Sequence, residues 1–427
     1  MFPELSEKAQ NLIKVLTKFV DEECIPSEQR FEEELGTTEQ QRFGSEPPVV
    51  EELRVKARKL GLWNLFLPSN YKESFGLTNY EYAHMCEIMG KSPMLAPSAT
   101  NCNAPDTGNM EVLARYGNED QKKKWLVPLM DGKIRSAFAM TEPAVPSSDA
   151  TNISTSLTEV EGGYLVNGRK WFIGNGSHPN LKVFITMVKS GNTHKEYKEL
   201  VKKSTLGERH LQHSVVLIPK DTKGVRIVRP MKVFGFDDAP HGESEIIFND
   251  VFIPKENVVL GLGRGFEIVQ GRLGPGRLHH AMRILGMAER SLELMIERGL
   301  NRIINGTPLI EKGVIMDWIS KSRIDIDSSR LLVLNAACAV DTKGTIMSKK
   351  EIALAKISVP NAALRVIDRA IQAHGAMGVC QDTPLAYFYA NIRTLRIADG
   401  PDEVHSFQIA KNEVKQARAR ISNKSKI

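Results

Sequence analysis

The sequence is poor in the residues that build metal centres and disulfide frameworks. Its five cysteines, Cys24, Cys86, Cys102, Cys338 and Cys380, are scattered through 427 residues and form no C-x-x-C pair. That spacing excludes a zinc ribbon and a stapled scaffold, and it predicts buried reduced thiols of an intracellular protein. No metal is expected. Long apolar runs are also missing, since none reaches the ~18 residues that a membrane-spanning helix needs. Neither sign of charge dominates. Against 57 Lys and Arg stand 51 Asp and Glu, a net charge of +6, with no basic run longer than Lys122-Lys123-Lys124. So mild an excess suits an anionic ligand and argues against nucleic acid. No G-x-G-x-x-G opens a βα unit and no Walker loop is present, which disfavours nicotinamide and P-loop enzymes. The opening Met1-Phe2-Pro3-Glu4-Leu5-Ser6-Glu7 has early acids and no basic leader, so neither a secretory nor a mitochondrial signal is expected.

What is present is an ordinary globular composition, 41% hydrophobic and 25% charged. Residues 1–132 read as helical. Leu12, Ile13, Leu16, Phe19 and Val20 recur at helix spacing, and Val49 to Leu60 suits a second amphipathic helix. Pro68, Pro93, Pro97 and Pro105 bound the helices there. Residues 133–255 read as a β-domain. Tyr164 to Ile173 resembles a hairpin turning at Asn167-Gly168, because Asn-Gly supplies the positive φ angles of a tight turn. Short β-rich runs follow at Val183–Met187, Ser214–Ile218, Val225–Val228 and Glu245–Phe248. Gly191 to Gln212 reads as a long surface excursion, with a helical turn near Tyr197 to Lys203. The helical period returns in residues 256–427, for example at Leu285, Ala288, Leu292 and Met295. Strands that do not alternate with helices exclude a Rossmann sheet and predict an α+β chain: helices, a β-domain, then a helical bundle.

That order, with several motifs, resembles the acyl-CoA dehydrogenase family from about Arg54 to Glu413. The motifs are Tyr116-Gly117-Asn118-Glu119-Asp120-Gln121-Lys122, Met140-Thr141-Glu142-Pro143 with Ser147-Ser148-Asp149, and Phe248 to Phe266. The resemblance implies FAD, an acyl-CoA substrate and oxidation between Cα and Cβ. Many members keep a glutamate base in a Tyr-Glu-Gly-Thr sequence. Here Ile397-Ala398-Asp399-Gly400-Pro401 stands in that place, so the resemblance makes Asp399 the α-proton base and puts a backbone N–H beside it, at Gly400, on the thioester oxygen. Read without the family, Asp-Gly-Pro is a turn after a helix and Asp399 a solvated acid. Other members carry the base just before a CoA-contacting arginine, a pair that is Gly276-Arg277 here. Glycine cannot abstract a proton, so Arg277 keeps the ligand role and Asp399 stays the candidate base. His279 and His280 follow as pocket-lining or structural histidines, with His279 carried as a substrate contact.

By the same resemblance, Phe138, Met140, Thr141, Ser147 and Ser148 lie along the flavin, and Phe172 and Gly174 form a second stretch. Members often have Trp and Thr at the last two positions, so one hydroxyl contact is missing. Arg302, Gln372, Gly375 and Ala376 resemble contacts to the cofactor of a neighbouring subunit, with Pro401 and Glu403 beside the base completing the cofactor set. A dimer or tetramer is therefore expected. The stretches from Thr141 to Ile153, Gln270 to Arg277 and Ala398 to His405 resemble the branch that handles longer-chain and 4-hydroxyacyl-CoA, often fused to a kinase-like domain. No such segment is expected here. An electron-transfer flavoprotein is the expected electron acceptor. Oxygen is the alternative, in an oxidase, and a DNA-associated relative is a third reading that the charge disfavours. The end Ser425-Lys426-Ile427 is close to Ser-Lys-Leu and predicts peroxisomal import, with a mitochondrial or cytoplasmic location as the alternative.

Overall fold

The structure, a computed structural model, describes residues 2–192, 194 and 197–424. The tripeptide Ser425-Lys426-Ile427 lies outside the described residues. The chain divides into two compact units. One comprises Ser27–Gly76 and Ser98–Leu273 and holds the main sheet; the other comprises Met1–Pro26, Leu77–Pro97 and Gly274–Ile427 and is built mainly of helices.

The sheet contains β1 (Arg135–Ala139), β2 (Ser156–Val160), β3 (Gly163–Gly174), β4 (Leu181–Lys189), β5 (His213–Pro219), β6 (Val225–Met231) and β7 (Glu243–Pro254). Their order is β1-β4-β2-β3-β7-β6, with β5 on β4. β1 runs parallel to β4, whereas β2–β3, β3–β7, β4–β5 and β6–β7 are antiparallel. The short apolar runs read from sequence fall in β4 to β7. Alternate residues of these strands form one core, including Val166, Phe184, Val216, Ile246, Phe248 and Val251. Phe184 meets Phe248 edge to face at 6.0 Å, a geometry that the ring quadrupoles favour.

The expected turn at Asn167-Gly168 is absent. Both residues sit inside β3, and the chain reverses one step earlier, where Val160 pairs with Gly163 and Gly162 takes a φ of +78°. Asn167 and Gly168 mark a break in the β3–β7 register instead. Asn167 exchanges two hydrogen bonds with Asp250, at 2.9 and 2.7 Å. Gly168 is needed for closeness, because a Cβ there would lie 2.3 Å from Thr155 Oγ1. Asn-Gly thus served a bulge and not a turn. The excursion from Gly191 to Gln212 does contain a helix, Tyr197–Lys203; residues 193, 195 and 196 are outside the description.

In the helical unit, the helices Asn79–Gly90 and Gly265–Asn301 touch backbone to backbone through two glycines. A Cβ on Gly90 would lie 2.1 Å from Arg283 O, and one on Gly286 2.0 Å from Glu87 O. Asp341, on the helix Gly313–Lys343, accepts the N–H groups of Asn79 and Tyr80 at 2.9 Å each. It satisfies donors that a helix start cannot pair internally and suits the positive end of the dipole. Arg330 joins Glu87 at 2.7 Å, with Glu289 as a second partner. These contacts fix the helix that carries Arg277.

Candidate functional site

The first centre lies in the helical unit. The helix Leu385–Thr394 ends in turns that lead to Asp399 and Gly400, both left-handed, with φ of +57° and +107°. Aspartate tolerates this region better than most residues, which favours it at such a turn. Val404 N–H then donates to Pro401 O at 3.1 Å and opens the helix Asp402–Lys424, with Glu403 exposed in its first turn. Asp402 is tied to Arg396 Nε at 2.7 Å and to Asn361 Nδ2 at 3.0 Å.

Two side chains and one glycine converge on Asp399. Arg277 Nε donates to its backbone carbonyl at 2.7 Å. His280 Nε2 stands 3.6 Å from Oδ2. A Cβ on Gly276 would lie 3.4 Å from the same oxygen, so the Gly276 position borders the carboxylate directly. Behind them, buried Lys356 bonds Leu395 O. Burial pushes Lys356 down to about 8, against the pull of Asp399 and Asp402. Burial, with Arg277 and Lys356, holds His405 down at about 4. Its ring packs under Gly400, 3.0 Å from where a Cβ would be. Burial lowers Arg277 as well, and the Asp399 charge opposes it. His279 is placed differently. It is buried edge-on against Tyr82 at 4.9 Å, and burial takes its ring down to about 3. His280, and not His279, faces Asp399.

The second centre lies in the sheet unit, where β1 leads through Met140 to Thr141 beside the end of β3. Trp171 N–H donates to Thr141 O at 3.0 Å, joining the two stretches. Lys170, buried, locks them: its Nζ donates to Met140 O at 2.9 Å, Met187 O at 2.8 Å and Glu142 Oε1 at 2.8 Å. Burial lowers Lys170 to about 8 despite Glu142. Burial alone would raise Glu142, but Lys170, Ser154 and Thr155 bring it down to about 2. The pair is therefore ionised at neutral pH.

The register of β3 slips between Lys170 and Ile173, and Phe172 takes a φ of +50° while 43% exposed. For a bulky residue this conformation costs of order 1–3 kcal/mol and persists only where the surroundings enforce it. Gly174 is already in contact on one side, since a Cβ there would touch Glu243 Oε1 at 3.5 Å and Pro105 Cδ at 3.7 Å. Phe138 carries the Arg272 guanidinium over its ring at 3.9 Å. Ser147 Oγ accepts Glu142 N–H at 2.9 Å and shapes the loop, whereas Ser148 is exposed. An exposed ring held at positive φ and a Thr141 loop hydrogen-bonded to it through Trp171 fit a flat, partly apolar ring system such as a flavin.

Arg302, Gln372, Gly375 and Ala376 are all exposed. Arg302 follows the helix Gly265–Asn301, Gln372 belongs to Lys349–His374, and Gly375 and Ala376 open the turn after it. Sequence reasoning missed Lys170, Lys356 and His405. Lys170 and Lys356 act through residues 17 or more positions away, whereas His405 ends the Ala398–His405 stretch and packs on Gly400 within it. Among the described residues no group of His, Cys, Asp and Glu is arranged for a metal, and no helix is long and apolar enough to cross a membrane.

Three family models match the chain: the acyl-CoA dehydrogenase N-terminal domain at residues 6–133, the middle domain at 137–251 and the C-terminal domain at 263–414. Acyl-CoA dehydrogenase family member 10 of Mus musculus is 47% identical over 96% of this chain, which spans only 37% of that relative. FadE2 of Mycobacterium tuberculosis, named as an acyl-CoA dehydrogenase, is 49% identical over 87% of each chain. A solved structure assigned to the acyl-CoA dehydrogenases of Mycobacterium abscessus has a TM-score of 0.90 and 43% identity, covering 97% of this chain and 100% of its own.

Proposed function

Because the chain belongs to the acyl-CoA dehydrogenase family, we propose that it binds FAD and oxidises an acyl-CoA thioester between Cα and Cβ to the trans-2-enoyl-CoA. The observation that carries this reading is the carboxylate of Asp399 beside Gly276. The two places where members of the family keep a base border one another here, and only Asp399 brings an acid to them.

Asp399 takes the α-proton on a carboxylate oxygen. Its carbonyl is held by Arg277 Nε, so the base is fixed before substrate arrives, and orientation supplies part of the rate. The remaining guanidinium donors of Arg277 pair with the anionic CoA. The Gly400 N–H donates to the thioester oxygen, where negative charge develops as the proton leaves. FAD, when bound, supplies the hydride acceptor for the β-carbon. Phe138, Met140, Thr141, Ser147, Ser148, Phe172 and Gly174 would hold it, and the family resemblance adds Pro401 and Glu403 to that set. Arg302, Gln372, Gly375 and Ala376 reach the cofactor of a second subunit, and their exposure in the single chain supports that role. The assembly is then a homodimer or homotetramer, which analytical ultracentrifugation of the FAD-loaded protein tests.

A straight medium- or long-chain acyl-CoA is the substrate class, with 4-hydroxyacyl-CoA the next to try. Electrons pass to an electron-transfer flavoprotein. The purified protein is expected to be yellow and to bleach when acyl-CoA is added without air. A turnover panel with an artificial acceptor gives chain length, and activity on short branched acyl-CoAs alone would sink the long-chain assignment. Stoichiometric peroxide in air would replace the dehydrogenase by an oxidase.

A further inference from the structure

Asn175 follows the Phe172–Gly174 stretch directly and is itself left-handed, with a φ of +62° and no exposed surface. Its amide nitrogen donates to Ser136 O at 3.0 Å and to Asp106 Oδ2 at 3.2 Å. The amide oxygen can then only accept, and it faces His241 Nδ1 at 2.9 Å. That ring nitrogen must carry the proton. His241 Nε2 is left to accept, from Ser98 Oγ and Asn103 Nδ2, each at 3.0 Å. A neutral ring is required, and burial, with His178 and Arg135, keeps His241 well below the usual imidazole range. Asp106 also accepts Ser136 N–H at 2.7 Å and Ser136 Oγ at 2.6 Å.

These bonds join two separate stretches. Ser136 stands two residues before Phe138 on β1, and Asn175 one residue after Gly174 at the end of β3. We propose that Asn175, locked by His241 and Asp106, is a positioning residue for the FAD site, setting the exit of β1 and the strained end of β3 in one fixed relation. Glycine at 175 would keep the backbone angle without strain, so the side-chain bonds can be tested apart from the φ requirement. The inference rests on the flavin reading given above.

The test uses the full-length, FAD-loaded protein with Asn175→Gly and His241→Gln. FAD release is followed by the rise of free-flavin fluorescence after dilution, and the visible absorption and circular dichroism of the bound flavin are recorded. Both variants are expected to release FAD roughly tenfold faster or more, the equivalent of about one net buried hydrogen bond, and to show altered flavin dichroism. A fall in thermal stability alone, with wild-type release and an unchanged flavin spectrum, would overturn the proposal and leave the network purely structural. Should Asn175→Gly fail to fold, His241→Gln decides the matter, because it leaves Asn175 in place. Wild-type protein that binds no FAD would overturn the functional reading, and this inference with it.

Discussion

Arg277 Nε donates to the backbone carbonyl of Asp399 at 2.7 Å, across 122 residues of sequence. Arg277 therefore holds the turn that carries the Asp399 carboxylate. On the proposed roles of the two residues, ligand binding and placement of the base would be coupled at this point, and that coupling can be measured.

Asp399→Asn keeps the size of the side chain and removes its basicity. Anaerobic flavin reduction by acyl-CoA is expected to slow roughly 100- to 10,000-fold, the usual worth of a positioned base, with FAD and ligand still bound. Stopped-flow bleaching measures this directly. A near-native rate would move the base elsewhere.

Arg277→Lys retains a positive charge but loses the planar fork that reaches the carbonyl. Flavin reduction is expected to fall about 10-fold or more through lost orientation, together with a raised KM. A higher KM with an unchanged rate of reduction would show that Arg277 binds CoA and does not position Asp399.

Lys170→Met leaves the Glu142 carboxylate buried without its cation, with only Ser154 and Thr155 still donating to it. Breaking a buried pair from one side costs about 3–5 kcal/mol, so the Tm should drop by several degrees. Glu142→Gln in the Lys170→Met background should recover part of that loss, since the stranded charge is then gone. A double variant less stable than the single would contradict the pairing.

Gly286→Ala places a methyl group 2.0 Å from Glu87 O. Two helices must part to admit it, at about 1–3 kcal/mol. Chemical denaturation should show a lower midpoint. Gly276→Ala is the contrast, because its new Cβ would sit 3.4 Å from Asp399 Oδ2: stability should hold while flavin reduction changes.

Acid should destabilise the fold in two overlapping steps. His405 is held neutral, down from 6.5 to about 4. The unfolded chain binds its proton first, so this contribution is complete above pH 6.5 and shrinks as pH falls towards 4. Glu142 is lowered from 4.5 to about 2, so its contribution is complete above pH 4.5 and is lost as pH falls through 2. Thermal melts between pH 7 and 2 (about the range these shifts span) should show a falling Tm. His405→Asn is expected to flatten the upper part of that fall.

Much of this was legible without coordinates. Helix-spaced Leu12, Leu16 and Phe19 do form the helix Glu7–Phe19, because one face repeats every turn. Short β-branched runs became β4 to β7 for the corresponding reason of period two. Asp399 stood out because a motif is a local pattern that survives in one dimension. Asn167-Gly168 misled, since the same dipeptide serves a tight turn and a bulge, and only the strand opposite decides between them. Nor could His279 and His280 be told apart, because adjacent helical residues point about 100° apart and the sequence does not say which direction holds the acid.

The sequence by itself determined the α+β order, the helices and strands, the family, and the acid at position 399. Tertiary structure alone decided which groups that acid meets. Arg277, Gly276 and His280 reach Asp399 from a helix more than 100 residues away, and Lys170 finds Glu142 28 positions away along the chain. Local propensity acts over a few neighbours, whereas burial and close packing bring together residues whose separation along the chain carries no signal of their contact.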